Sequence, residues 1–254
     1  MRLREMRRYR RDDPHSYALG TFCVLELLDR LPERALRVVL APSAESTPGA
    51  GLVRAAAERA GVPVDVDARV PAALSSKENV HAVAAFAKYD APVAPGGDHV
   101  VLVRPADFGN LGTVLRTMRG LGADDLVVVP PAADLFDPRV VRASMGALFG
   151  LRFSVVADLA SYADAFDRPL YAFRSDAASA LPAVSFTRPA ALVFGPESSG
   201  LLDSDLPPAS RLTAVAIPQD PAIDSFNLAT SVALGLWELR RSTGSLPAPA
   251  APIT

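Results

Sequence analysis

The sequence has few of the residues that most often carry chemistry on their own. It holds one cysteine, Cys23, and three scattered histidines, His15, His81 and His99. A single thiol excludes an intramolecular disulfide and a cysteine-only metal site. The histidines have no Cys, Asp or Glu partners at ligand spacing, so no metal site is read. A lone buried thiol behaves as a small hydrophobe, and one cysteine suits a reducing compartment, here taken as the cytoplasm. No apolar run reaches the roughly 18–20 residues that a membrane-spanning helix needs. The first arginines are followed by no continuous apolar segment, so no secretory signal is read. A charge excess is also missing. With 26 Lys and Arg against 28 Asp and Glu, the formal net charge is −2. That excludes a histone-like positive coat and leaves only local basic patches. There is no Gly-x-Gly-x-x-Gly and no Gly-Lys-Ser/Thr, which removes the Rossmann fingerprint and the P-loop.

What is present is a chain of 254 residues, half of them apolar, enough for one large or two ordinary domains with a sizeable core. Residues 1–11 form a basic arm, with Arg2, Arg4, Arg7, Arg8, Arg10 and Arg11 against a single acid, Glu5. It is either a solvated terminus or a phosphate-binding arm, since the arginine fork matches phosphate oxygens. Residues 12–90 alternate helical and strand patterns ("TFCVLELLDRL", "LRVVLAP", "GLVRAAAERAG", "VPVDVD") and read as a small α/β domain. Within it, "SKENVHAVAAFAKY", residues 76–89, is expected to be helical. Residues 91–97, inside the Pro- and Gly-rich "YDAPVAPGGD", read as a linker, and 244–254 as a loose tail. Between them, residues 98–243 carry "HVVLV", "DLVVVP", "FSVVA", "LYAF", "AALVFG" and "LTAVAIP". These continuous apolar runs suit parallel strands covered on both faces. "DPRVVRASMGALFG" and "SFNLATSVALGLWELRR" are expected helices of this domain.

Three turns in this second domain combine apolar strands with polar exits. In "DFGNLGTVLRTMRGLG", Asn110 is placed to cap a helix, and Gly109 and Gly112 allow a tight bend. Leu111, Val114, Leu115, Met118 and Leu121 make one apolar stripe. Arg116 lies off that stripe, which fits either a solvated helix position or a group projecting over the strand ends. In "ALVFGPESSGL", Gly195 and Gly200 would let main-chain groups meet a ligand, with Glu197 as an acceptor. In "VAIPQDPAIDSFNLATSVALGLWEL", Asp224 or Ser225 is the expected helix cap, and Ser225 with Asn227 puts two polar groups at its mouth. The helix that follows is apolar almost all round (Phe226, Leu228, Val232, Leu234, Leu236, Trp237, Leu239) and must be covered by the sheet, by a partner subunit, or by both. Three such turns at strand ends of one open α/β sheet point to a single cleft.

"NLGTVLRT", "LVFGPESSGL" and "IPQDPAIDSFNLATSVALGLWEL" resemble, in order, the three signature motifs of the SpoU-type, TrmH-like RNA ribose 2′-O-methyltransferases of the SPOUT superfamily. "FDPRVVRASMGALF" is similar to the family's segment between the first two. The resemblance covers roughly residues 98–241. It implies an α/β domain with a C-terminal trefoil knot, S-adenosylmethionine as cofactor, RNA as substrate and a homodimer. The catalytic positions of the pattern fall on Arg116, Asn110, Glu197, Ser225 and Asn227. Cofactor-lining positions fall on Gly195, Ile217 and Phe226, with Gly200 and Leu228 beside them. The family usually has Leu where Phe226 stands. Residues 12–90 resemble more loosely a ribosomal-protein-like RNA-binding domain, with Leu19-Gly20 in place of its usual Glu-Gly pair. The implied activity is 2′-O-methylation of ribosomal RNA, with transfer RNA second. A non-catalytic RNA-binding assembly factor is the alternative on the same fold.

Overall fold

The computed structural model describes residues 1–74, 80–207 and 212–248. They form two compact units. The first holds residues 1–90 with 111–116 and 134–150, and the second holds 91–110, 117–133 and 151–254.

The first unit is built on β1 (His15–Leu19), α1 (Thr21–Arg30), β2 (Ala35–Leu40), α2 (Pro48–Arg59), β3 (Val64–Val66), α3 (Arg69–Leu74) and β4 (Ala82–Ala87). The sheet order is β1-β4-β2-β3, with β4 antiparallel to both neighbours and β3 parallel to β2. Helix α1 buries Cys23, Val24, Leu27 and Leu28, the stripe its spacing predicts. Thr47 caps α2, and Gly61, with φ +66°, terminates it.

Two helices expected from sequence are not found as such. Of residues 76–89, positions 76–79 lie outside the described residues and 82–87 are the strand β4. "AVAAFA" has good helix formers, but β4 sits between two strands and Val83, Ala84, Ala85 and Phe86 are fully buried. An unbroken apolar run has no period to tell a central strand from a buried helix. The helix expected over 137–150 stops early. α5 (Pro138–Ala143) is followed by Met145 and Gly146 at φ +53° and +80°, then a short 3₁₀ turn at Ala147–Gly150. Left-handed residues cannot continue a right-handed helix. A Cβ on Gly146 would lie 2.8 Å from that of Glu26.

The second unit contains β5 (His99–Val103), α4 (Phe108–Gly120), β6 (Asp125–Val129), β7 (Arg152–Val155), α6 (Leu159–Ala165), β8 (Leu170–Phe173), β9 (Ser179–Ala180), β10 (Ala191–Phe194), β11 (Leu212–Ala216) and α7 (Leu228–Ser242); the middle of α4 groups with the first unit. Its sheet runs β7-β6-β5-β10-β8-β11-β9, parallel throughout. Every residue of β5, β6, β8 and β10 is buried, as their unbroken apolar sequences predict. Ala91–Gly97 is pinned to this unit: Val93 N–H donates to Ser154, Ala94 N–H to Asp125, and Arg168 to the carbonyls of Pro95 and Gly97. No helix among the described residues is long and apolar enough to cross a membrane.

His99 is expected to give this unit a pH-dependent stability. Its Nε2 lies 2.9 Å from the Ala94 carbonyl and its Nδ1 2.9 Å from the Tyr162 hydroxyl. A carbonyl only accepts, so Nε2 carries the proton and Nδ1 accepts from Tyr162. Burial holds this imidazole below the ordinary histidine range. The folded state therefore binds the proton less readily than the unfolded chain. The contribution of neutral His99 is full above about pH 6.5 and is lost as pH falls below it. The urea midpoint is expected to drop between about pH 7.5 and 5.5, with a flatter profile for His99→Gln. An unchanged slope in that variant would contradict this assignment.

Candidate active site

The polar turns meet at the carboxyl ends of four adjacent strands, β5, β10, β8 and β11. After β10 the chain turns at Gly195-Pro196 and returns at once: Gly200 N–H donates to the Pro196 carbonyl at 2.9 Å. A Cβ on Gly195 would lie 2.4 Å from the Gly200 carbonyl carbon and the Leu201 nitrogen, so only glycine allows this return. Glu197, Ser198 and Ser199 form the exposed tip. The residues after β11 lie opposite. Together they enclose a cavity of about 250 Å³ whose walls include Gly195, Gly200, Ile217, Phe226 and Leu228, with Glu197 and Ser225 among the polar lining. All five residues read as cofactor-binding therefore share one cavity. Its floor is aromatic, Phe173 stacked on Phe194 with ring centroids 4.4 Å apart.

Three of the five catalytic candidates form a directed hydrogen-bond chain. Asn227 Oδ1 accepts from Ala229 N–H at 2.9 Å and so caps α7. That fixes the amide, and Nδ2 donates to Asn110 Oδ1 at 2.8 Å. Asn110 is thereby oriented in turn, and its Nδ2 donates to Glu197 Oε1 at 3.1 Å. A carboxylate ends the chain because it only accepts. The caps differ from those expected. Asp107, not Asn110, caps α4, accepting from Asn110 N–H at 2.7 Å, and Asn227, not Asp224 or Ser225, caps α7. Relieved of capping, the Asn110 side chain is available to the relay. Gly112 is not a bend either. It sits inside α4, where a Cβ would lie 2.4 Å from that of Ala143 and 2.8 Å from the Val140 carbonyl, so it allows α5 to approach. Ser225 lines the cavity outside the relay. Arg116 is exposed on α4, six residues or about 9 Å of helix beyond Asn110. Among the described residues its side chain has no hydrogen bond or ion pair.

A second, more open cleft of about 790 Å³ shares the Pro196–Ser199 wall and is lined also by Arg104, Phe108, Asn110 and Pro131. Asn110 and Glu197 thus face the cleft, and Glu197 faces both spaces.

Several site residues have no sequence signal that periodicity could pick out. Arg104, left-handed at φ +52°, forks onto Asp205 at 2.6 and 2.8 Å and holds that carboxyl below its ordinary range. Arg174 grips Asp176 and Asp203. The pairs to Asp205 and Asp203 tie the exits of β5 and β8 to the segment following Gly200. Gly235 lets α7 lie on the aromatic floor, since a Cβ there would come within 2.7 Å of the Phe173 ring. Among the described residues no cluster of three or more His, Cys, Asp or Glu is placed to hold a metal.

Residues 98–237 match the model of the SpoU rRNA Methylase family, more than half of the sequence. The chain belongs to this family. Among relatives of this SpoU protein, a tRNA/rRNA methyltransferase of Synechocystis sp., itself uncharacterized, is 34% identical over 155 residues, 59% of this chain and 55% of that protein. The 23S rRNA (uridine(2479)-2′-O)-methyltransferase of Streptomyces viridochromogenes is 31% identical over 153 residues, covering 56% and 52%. The match thus spans about half the length of these curated relatives. The AdoMet-bound rRNA methyltransferase of Sinorhizobium meliloti has a similar structure, with a TM-score of 0.75 at 26% identity over 90% of this chain and 87% of that one.

Proposed function

We propose that this SpoU-family chain methylates a ribose 2′-hydroxyl of RNA with S-adenosylmethionine, on ribosomal RNA in preference to transfer RNA. The observation that carries the reading is the Asn227–Asn110–Glu197 relay at the wall between two cavities. A transfer between two bound molecules needs two adjoining spaces and polar groups at their junction. The relative and the structural neighbour named as rRNA methyltransferases favour ribosomal RNA.

The smaller cavity suits the cofactor. Its apolar and aromatic walls fit a purine, and Gly195 and Gly200 leave main-chain groups accessible. S-adenosylmethionine, when bound, supplies a methyl group on a cationic sulfur. The protein's residues do the rest by alignment, which can contribute about 7–11 kcal/mol in the best cases. The target nucleotide enters the larger cleft. Glu197, oriented by Asn110, accepts from its 2′-hydroxyl, and Ser225 fixes the cofactor side. A guanidinium stays protonated near neutral pH, so Arg116 grips the target phosphate and ribose and serves as a base only if the assembled site perturbs it strongly.

The same reading includes a homodimer, a trefoil knot near the C-terminus and a ribosomal-protein-like RNA-binding role for residues 12–90. Leu234 and Trp237 on α7, 36% and 49% exposed, support a partner subunit over that face. The immediate return of the chain after Gly195, with α7 laid on Phe173 and Phe194, supports the knot. An RNA substrate and a single reduced thiol fit the cytoplasm.

The test uses labelled S-adenosylmethionine with unmodified pools of both ribosomal RNAs and of transfer RNA. Label is expected in a ribosomal RNA pool and lost in Arg116→Ala. Label in transfer RNA instead would move the substrate class. No label together with no cofactor binding would favour the non-catalytic assembly factor. Near-normal rates in Arg116→Lys would remove any role that needs the guanidinium fork.

A further inference from the structure

The arginine arm is not used by the site described above. Its six arginines stand against Glu5, Asp12 and Asp13 over residues 1–13, leaving 20 Lys and Arg against 25 Asp and Glu in the rest of the chain. Positive charge is thus concentrated at one end of a mildly acidic protein.

The arm is not a frayed terminus. Leu3, Met6 and Tyr9, every third residue, face inward. Met6 is buried in the core cluster of Tyr17, Leu19, Val39, Val70, Val80 and Val83, and Leu3 and Tyr9 pack against it. Polar contacts hold the same stretch. Arg37 donates to the Met1 carbonyl at 2.8 Å, Arg7 N–H to the Tyr17 hydroxyl at 3.1 Å, and Tyr9 hydrogen-bonds Asp134. Lys88 lies 4.8 Å from the centre of the Tyr9 ring. The anchors turn the remaining positions outward, so Arg2, Arg4, Arg7, Arg8, Arg10 and Arg11 are all exposed. Among the described residues, Arg7 pairs with Asp13 at 3.6 Å, and no ion pair occupies Arg4, Arg8 or Arg10.

We propose that this anchored arginine ridge is a docking surface for the phosphate backbone of the RNA substrate. The inference rests on the RNA methyltransferase reading and extends it to a surface that no signature motif includes. Guanidinium groups fork onto phosphate oxygens. A ridge already fixed by three apolar anchors loses less conformational freedom on binding than a loose tail would. Contacts of this kind carry affinity and register rather than sequence choice.

The test compares the 254-residue protein with an Arg4→Ala/Arg8→Ala/Arg10→Ala variant, which keeps Leu3, Met6 and Tyr9. Binding of one labelled, structured ribosomal RNA fragment is measured against salt concentration. The slope of log K against log salt is expected to fall by about 2–3 for three lost phosphate contacts. Thermal unfolding, S-adenosylmethionine affinity and sedimentation should be unchanged. An unchanged slope, or a wild-type protein that does not bind the fragment, would overturn the proposal. An altered sedimentation with an unchanged slope would assign the ridge to a second copy of the chain instead. Methyl transfer is read separately. An arginine-dependent slope without methyl transfer leaves the ridge standing and removes the enzymatic reading; methyl transfer with an unchanged slope does the reverse.

Discussion

Asn227→Asp is expected to reduce methyl transfer to RNA on the order of 10²-fold, the cost of misplacing a reacting group by about 1 Å, with the fold intact. The substitution keeps what the structure needs of Asn227. A carboxylate accepts from Ala229 N–H as the amide does, and Asp is as good a cap as Asn. What it loses is the donor. Asn110 Oδ1, 2.8 Å away, would then face a second acceptor. Its amide must tip or flip, and a flipped amide presents oxygen to Glu197. In either case Glu197 loses its donor and its orientation. Asn227 is not among the cavity walls, so S-adenosylmethionine should bind within about threefold of wild type, a difference near 0.7 kcal/mol. Asn227→Ser, which caps without a charge or a long donor, should behave alike. The measurement is kcat at saturating cofactor beside calorimetric binding. A kcat within a few-fold of wild type in both variants would remove the relay from the mechanism.

Asp98→Ala is expected to cost about 3–5 kcal/mol of stability, the range for removing one partner of a buried ion pair. The Asp98 side chain is 2% exposed and Arg240, opposite it, 7%. Asp98 Oδ2 accepts from Arg240 at 3.0 Å and Arg188 at 2.8 Å, while Oδ1 takes the Ala190 N–H at 2.9 Å. Arg240 also donates to the carbonyls of Leu121 and Gly122. Burial already holds this guanidinium below its ordinary range, with Asp98 the largest opposing influence. Without the carboxylate, Arg240 is a buried charge left with two carbonyls, the like charge of Arg188 and only the weaker influence of Asp124. The consequence reaches the site, because α7 carries Arg240 near one end and is capped by Asn227 at the other. Urea unfolding measures the loss. Asp98→Ala/Arg240→Met should recover most of it, since well-packed apolar replacements of buried pairs are close to neutral. A loss below about 1 kcal/mol in the single variant would mean that water or relaxation reaches Arg240.

Much of this architecture was legible in the sequence because its signals are local. The strands β5, β6, β8 and β10 are short apolar runs bounded by Gly, Pro or Asp, and they are the buried parallel strands. The polar exits at Asn110, Glu197 and Asn227 were visible as groups that strand ends do not require. The capping assignments were off by a few residues because Asp107, Asn110, Asp224, Ser225 and Asn227 are all good caps, and only backbone geometry selects among them.

The sequence by itself determined most of the strands of the second unit, the strand ends that carry polar groups, and the exclusion of an intramolecular disulfide. Spacing and composition suffice for these, since each depends on residues near one another in the chain. Tertiary structure alone decided which amides would face each other. Asn110, Glu197 and Asn227 are separated by 87 and 117 positions from their partners, and no local pattern encodes such a pairing. It also decided that "AVAAFA" is a strand, that Gly112 serves helix packing, and that Leu3, Met6 and Tyr9 anchor an arginine arm. In each case the deciding force is burial against a distant part of the chain, which overrides weak local propensity.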